Sequence, residues 1–457
     1  MSFGDSRDEF YEKRRWIADE EDAKLRAAFG DTSKVVWGQT RVRCRRDLET
    51  VDRQIRDHEV AGIVFHLPIW ASPNLVTTIA ARYDLPIAIV SNTRKDSSAT
   101  SAYFATAGAM DKIDRQCFRY FGDLSSKAFI EDIAQFITAA QIKGQLKKQT
   151  FGAFGMLPLG IEQTIFNPAQ WKRLFGLNTE IIDQYEIVKE AKKIGQEQCN
   201  LAMQWITQNY GHIDYNDQLL TVESLDRQIR SYLAVRNIIQ EHGLDFVGIK
   251  CQPELSDGYA IQCLTVSLLN DPYDMDGHHD PIVCACETDA DGALTMQILK
   301  LASAGLPTTL MDVRHPGEKQ IICANCGSLP SWYTKRSSNC SDNLHHVHLI
   351  GHVFGQAGGA ALQMIAGDGE VTLARLCQKG DRYWMTIMKG YTRHQKREKL
   401  AEMTWSFPAA FIDVQYDREA FTQKFAANHL HMVAGNVVGT VEKWCKLNNI
   451  AIERFKN

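Results

Sequence analysis

The sequence contains no apolar run long enough to span a bilayer, which takes about 20 residues. Its opening, MSFGDSRDEFYEKRRW, lacks the apolar core of a secretory signal. These absences predict a cytosolic protein without a membrane partner. Neither sign of charge dominates: 51 Lys and Arg against 55 Asp and Glu leave a net charge of −4. A general role in binding nucleic acid is therefore not expected. Short-period repeats and low-complexity tracts are missing too, which leaves a compact folded chain. Cysteine is not scarce, at 12 residues, but there is only one CxxC, Cys323-Ala-Asn-Cys326. Without a second pair at matching spacing it does not define a zinc site, and reduced thiols are the simplest reading. The segment 321–352 is read instead as a loop bordering a pocket.

What is present is an ordinary globular composition, 44% hydrophobic and 23% charged, spread over 457 residues, enough for two or three domains. Residues 60–66, VAGIVFH, and 85–90, LPIAIV, read as strands buried on both faces, with a Pro73-led helix between them. A helix over 128–145 leads out of this first α/β domain (1–147). A second α/β domain (148–305) begins at FGAFGMLPLG and continues through a long helix near 185–210. Its helix 222–242 ends at Gly243, placed as a C-cap, and the strand LDFVGIK follows. Past about 320 the chain has glycine-rich turns and short apolar runs such as VTLARL and YWMTIMKG. That pattern predicts a mostly β, barrel-like C-terminal domain (306–457). The fold class expected is thus α/β, two Rossmann-like parallel-sheet domains followed by a β domain.

The stretch PIVCACETDADGALTMQ (281–297) poses a chemical problem, because an apolar strand runs directly into Glu287-Thr-Asp-Ala-Asp291. Burying a carboxylate is costly unless it is paired or holds a metal. A helix and a second strand, LPTTLMDV, complete what reads as one βαβ crossover, and Asp312 ends that strand. Parallel neighbouring strands would bring Glu287 and Asp312 to the same carboxyl edge, where ligands of open α/β sheets bind. Two such carboxylates need a shared proton or a cation, and oxygen donors suit magnesium or manganese. Spacing alone leaves open that both are solvated loop acids, or that one pairs with Arg314. A third donor is offered by His429 in KFAANHLHMVAGN, with His431 on the same side if the backbone there is extended.

Taken together, the strand-end Glu followed by TDADGALTMQ, then MDVRH, then ANH, resemble the L-fucose isomerase family, which is related to the L-arabinose isomerases. The resemblance extends more thinly to LPIAIV, GMLPLGIEQTIFNPAQWKRLFGL and VTLARL. It implies that Glu287, Asp312 and His429 bind manganese, or another divalent cation such as magnesium or cobalt. It further implies that Glu287 and Asp312 carry the proton transfers of an aldose–ketose isomerisation through an enediolate, on a fucose- or arabinose-like aldose or a C6-sulfonated or phosphorylated hexose. Gln252, in IKCQPEL, resembles a sugar-binding glutamine of the family, and Asn428 is placed to orient His429 or meet a sugar hydroxyl. His66 and Trp70 follow a strand of the N-terminal domain, which in this family completes the pocket of a neighbouring subunit. A homo-oligomer, a hexamer by family habit, is the expected assembly. His346 and His348 are candidate fourth ligands by analogy with arabinose isomerases. The basic run TRHQKREK (392–399) reads as a solvated turn, or as a site for an anionic sugar if it lines the pocket. The chain departs from the family in its shorter length, a missing Arg-rich opening, a carboxylate spacing different by one residue, and a His–Leu–His after the ANH motif. The alternatives are a class II aldolase or lyase using the same metal, or a sugar-binding protein without catalysis.

Overall fold

A computed structural model describes residues 1–30, 35–216, 218–403 and 407–455. The chain divides into two compact units, Met1–Gly144 and Gln145–Asn457. The second holds both segments expected from the sequence as separate domains. No helix among the described residues is long and apolar enough to cross a membrane.

In the first unit, Ile63–Leu67, Ile87–Ser91 and Phe118–Phe121 form a three-stranded parallel sheet in chain order. The helices Pro73–Arg82 and Ala99–Lys112 make the crossovers, the first opened by the proline as expected. The middle strand is buried along its whole length, which is why LPIAIV shows no polar alternation.

The second unit combines two sheets. Cys284–Cys286, Phe246–Ile249, Thr150–Phe154 and Asn178–Ile182 lie side by side in that order, all parallel. Val222–His242 is a single helix with a reciprocal Thr221–Ser224 capping box, and Gly243 takes the left-handed conformation at φ 61°. The helix expected near 185–210 is two, Tyr185–Ala191 and Gln196–Asn209. Gly195 stands between them in extended backbone and caps the second.

The other sheet is a closed barrel. Around the ring run Gly369–Lys379, His429–Ala434, Thr308–Pro316, Gln320–Ala324, Ala409–Val414 and Arg382–Thr392, which pairs back onto Gly369–Lys379. Every pairing in the ring is antiparallel, and Ala451–Glu453 adds one parallel strand outside it. Closure leaves the ring without unpaired edges. The structure corrects one expectation here. Cys284–Cys286 and Thr308–Pro316 are not neighbours in one parallel sheet: the first ends the four-stranded sheet and the second belongs to the barrel. The helix between them, Ala290–Ala302, is buried on nearly every side and packs on strands of both sheets. A helix apolar all round is what such a sandwiched position demands. It therefore joins two sheets rather than crossing over one.

Candidate active site

Glu287 leaves its strand through an unusual turn. Glu287 and Thr288 both have left-handed backbone, at φ 60° and 45°. For a β-branched residue this conformation is strained, and such strain persists only where the surroundings over-determine it. Here Thr288 N–H donates to Ile249 O (3.2 Å) and its hydroxyl to Phe154 O (3.2 Å). Gly248 on the neighbouring strand makes room, since a Cβ there would stand 2.9 Å from Thr288 Cα. The turn throws the Glu287 side chain off the sheet edge, and Asp289 then caps the buried helix by accepting from Gly292 N–H (3.0 Å).

The barrel supplies the rest. Asp312 and His429 are directly opposed on adjacent antiparallel strands, so their side chains share one face. His429 Nε2 lies 3.2 Å from Glu287 Oε2 and 3.7 Å from Asp312 Oδ1. Its other nitrogen, Nδ1, lies 2.7 Å from Asp289 Oδ2. Asp289 is fully buried and also ion-paired with the buried Arg375. Asn428 donates to Asp312 Oδ1 (2.9 Å) and accepts in turn from Gln163.

The electrostatics follow from burial and these contacts. Burial disfavours a charged His429, but the Asp289 and Glu287 carboxylates outweigh it and hold the imidazole up at about 10. Burial raises the Asp312 carboxyl to about 6; His429 opposes the rise and Glu287 adds to it. For Asp289 burial is overcome by Arg375 and His429, which keep it well below the usual carboxylate range. His431 is buried beside Arg375, which donates to its Nε2 (3.1 Å), and it is neutral at ordinary pH.

This donor set could hold a hard divalent cation. Glu287 Oε2 and His429 Nε2 are both buried, face each other, and have no further hydrogen-bond partner among the described residues. With Asp289 accepting from Nδ1–H, the Nε2 lone pair is free for a ligand, the arrangement seen around metal-bound histidines. Two carboxylates and one imidazole suit manganese or magnesium better than a thiophilic metal. A proton on His429 and a cation compete for the same place.

Comparison with known proteins agrees with the motifs. Residues 323–456 match the family described as L-fucose isomerase, C-terminal domain. The chain is 22% identical over 371 residues to a sulfoquinovose isomerase of Priestia megaterium, covering 79% of this chain and 78% of that protein. A sulfoquinovose isomerase of Clostridium sp. is 25% identical over 259 residues, 56% of this chain and 55% of its own. An L-fucose isomerase of Haemophilus influenzae matches at 23% over 190 residues, 36% of this chain and 32% of its own. These matches support a divergent member of the L-fucose isomerase family. Its relatives there are isomerase enzymes.

Of the residues singled out from the sequence, Glu287, Asp312, His429 and Asn428 come together in this one site. Gln252 is half-buried just beyond the strand Phe246–Ile249, at the carboxyl edge from which Glu287 also emerges. His66 is buried within the first unit, with Nδ1 2.7 Å from Asp22 Oδ1, and Trp70 is half-buried nearby in sequence. His348 lies on a small separate sheet against His212, at a ring separation of 5.3 Å. In 392–399, Arg393 pairs with Asp413. Sequence reasoning left Asp289, Arg375 and Gln163 without roles. A solitary arginine inside the apolar run VTLARL was the available signal, since a buried guanidinium must have a carboxylate partner.

Proposed function

We propose that this protein is an aldose–ketose isomerase that works on an open-chain sugar with a divalent cation, manganese first, bound by Glu287, Asp312 and His429. The observation that carries the reading is the meeting of these three side chains around a His429 Nε2 and a Glu287 Oε2 that have no other partner. A cation held there supplies Lewis-acid polarisation of the sugar's carbonyl and hydroxyl oxygens.

The protein's own groups then have distinct tasks. Isomerisation takes a proton from C2 of the aldose and returns one to C1, while a second proton passes between the two oxygens. Asp312 and Glu287 are the two carboxylates at hand to take and give these protons. Glu287 faces it across His429 and is the partner acid–base group. Asn428 fixes one Asp312 oxygen and leaves the other available. Asp289 and Arg375 hold the His429 ring and do not touch the sugar. The names of the relatives point to a sulfonated hexose or a 6-deoxyhexose as substrate class, and to oligomerisation only by family habit.

The deciding experiment is proton NMR in heavy water on manganese-loaded protein with a panel of aldoses, including sulfoquinovose, L-fucose and a 6-phosphohexose. A ketose signal with deuterium entering at C2 of the aldose is expected for one of them. Fragmentation products would instead make the protein a lyase, and no conversion of any sugar would overturn catalysis.

A further inference from the structure

The single CxxC does not act as a pair. Cys323 is buried on the barrel strand Gln320–Ala324, whereas Cys326 lies in the loop beyond it and turns towards a different set of residues. Among the described residues, Cys263, Cys326 and His352 bring one donor atom each to within 4.8 Å of one another. The three come from separate places in the chain: the first turn of the helix Cys263–Asn270, the loop after a barrel strand, and the end of the small strand His348–Gly351. Cys286, the residue before Glu287, also reaches the Cys326 sulfur.

We infer that Cys263, Cys326 and His352 form a second metal site, for zinc, with the Cys286 thiol as the donor at hand for the fourth position. His352 supplies the strongest observation. It is 1% exposed, and its Nε2 is buried with no hydrogen-bond partner among the described residues. Its Nδ1 lies 2.8 Å from Phe354 O and 2.9 Å from the Phe354 nitrogen, so the ring is held in place through Nδ1 and its other nitrogen, Nε2, is left for the cluster. A histidine whose ring is oriented through one nitrogen by the backbone, with the other nitrogen facing thiols, is arranged as a zinc ligand is. Zinc bonds of about 2.3 Å to sulfur and 2.0–2.1 Å to nitrogen put tetrahedral donors roughly 3.5–3.8 Å apart, a small contraction of this cluster. Thiolate and imidazole select zinc, while the oxygen-rich group of Glu287, Asp312 and His429 selects a harder ion. Binding releases one proton from each cysteine that ligates, and no oxidation is involved. The zinc ties the loop after a barrel strand to the strand end that carries Glu287. Its role is to brace the catalytic carboxylates rather than to meet the sugar.

The test does not depend on isomerase activity. Full-length protein, reduced and stripped with a chelator, is titrated with cobalt(II). Thiolate-to-cobalt charge-transfer absorption in the near ultraviolet is expected to saturate at one equivalent, to vanish on adding zinc, and to persist in excess manganese. Cys326→Ser and His352→Ala should lose most of that absorption, and the exposed-thiol control Cys44→Ser should keep it. If either site variant fails to fold, zinc-edge X-ray absorption on the unaltered protein answers instead, with two or three sulfurs and one nitrogen expected. A cobalt spectrum without thiolate bands while the thiols remain titratable would overturn the site. So would a Cys263–Cys326 disulfide in freshly purified protein.

Discussion

Asp289 shows how much one buried side chain can control. It caps a helix, neutralises Arg375 and holds His429 by Nδ1. Replacing it by Asn keeps an oxygen for the cap but removes the charge that fixes the imidazole. Loss of such a supporting carboxylate typically costs 10–100-fold in metal affinity, and Asp289→Asn is expected to weaken manganese binding by about that factor. It also leaves Arg375 buried with only Asp291, whose carboxyl burial raises to about 7, as counter-charge, a destabilisation of up to about 3–5 kcal/mol. Asp289→Asn with Arg375→Met removes the stranded charge, so stability should largely return while manganese affinity stays low. Isothermal titration and chemical denaturation of both variants separate the two effects; equal recovery of both would show that Asp289 acts only through folding.

At the scale of an element, the helix Ala290–Ala302 sets the site. It is wedged between a parallel sheet and a barrel, and its first turn lies against the strand His429–Ala434. Gly292 is what permits this approach: a Cβ there would meet Asp289 Oδ2 at 2.5 Å and His431 Cε1 at 2.7 Å. Neither side chain has room to retreat, since both are fully buried. Gly292→Ala should therefore displace Asp289 from His429, lower manganese affinity, and destabilise by about 1–3 kcal/mol, as over-packing does. Gly258→Ala, where a Cβ meets nothing within 4 Å, is the matched control. If Gly292→Ala bound manganese normally, the helix would be yielding where it is drawn as rigid. The glycine was visible in the sequence as TDADGALTMQ, but its reason was not, because the atoms it accommodates come from residues 289 and 431.

For the molecule as a whole, pH and metal are linked. The carboxyls of Asp271 and Asp291 are raised by burial to about 7, and Asp312 to about 6. A raised pKa means the folded state keeps a proton that the unfolded chain has lost. The stability these groups contribute is complete below about 4 and disappears as pH rises to 6–7. His429, held near 10, continues the same trend above 6.5. Opposing it are Met1, whose buried ammonium falls to about 6, and His348, lowered to about 4 by burial and by Arg397. Each regains stability as pH rises, as do the buried His431 and His346, but these gains are complete by about pH 8 while the loss at His429 continues towards 10. Metal-free protein is therefore expected to unfold at lower temperature at pH 9 than at pH 5.5, at about 1.4 kcal/mol per pH unit for each group titrating. On the proposed function manganese would take the place of the His429 proton, so its affinity should rise with pH and its stabilisation should be greatest at the alkaline end. Calorimetry at both pH values, with and without manganese, reads both; a metal-free midpoint that rises with pH would refute the buried protons.

Local sequence determined most elements of this protein. Burial on both faces leaves unbroken apolar strands, caps require particular residues at helix ends, and both signals lie within a few positions of where they act. The three candidate ligands were legible for a different reason, resemblance to a family whose motifs survive here. What only tertiary structure decided is partnership across distance. That the strands of Glu287 and Asp312 belong to different sheets, that Asp289 and Arg375 support His429, and that Cys326 leaves Cys323 for Cys263 and His352 all depend on residues far apart in the chain. No local periodicity encodes such contacts, because they are chosen by packing two sheets around one buried helix.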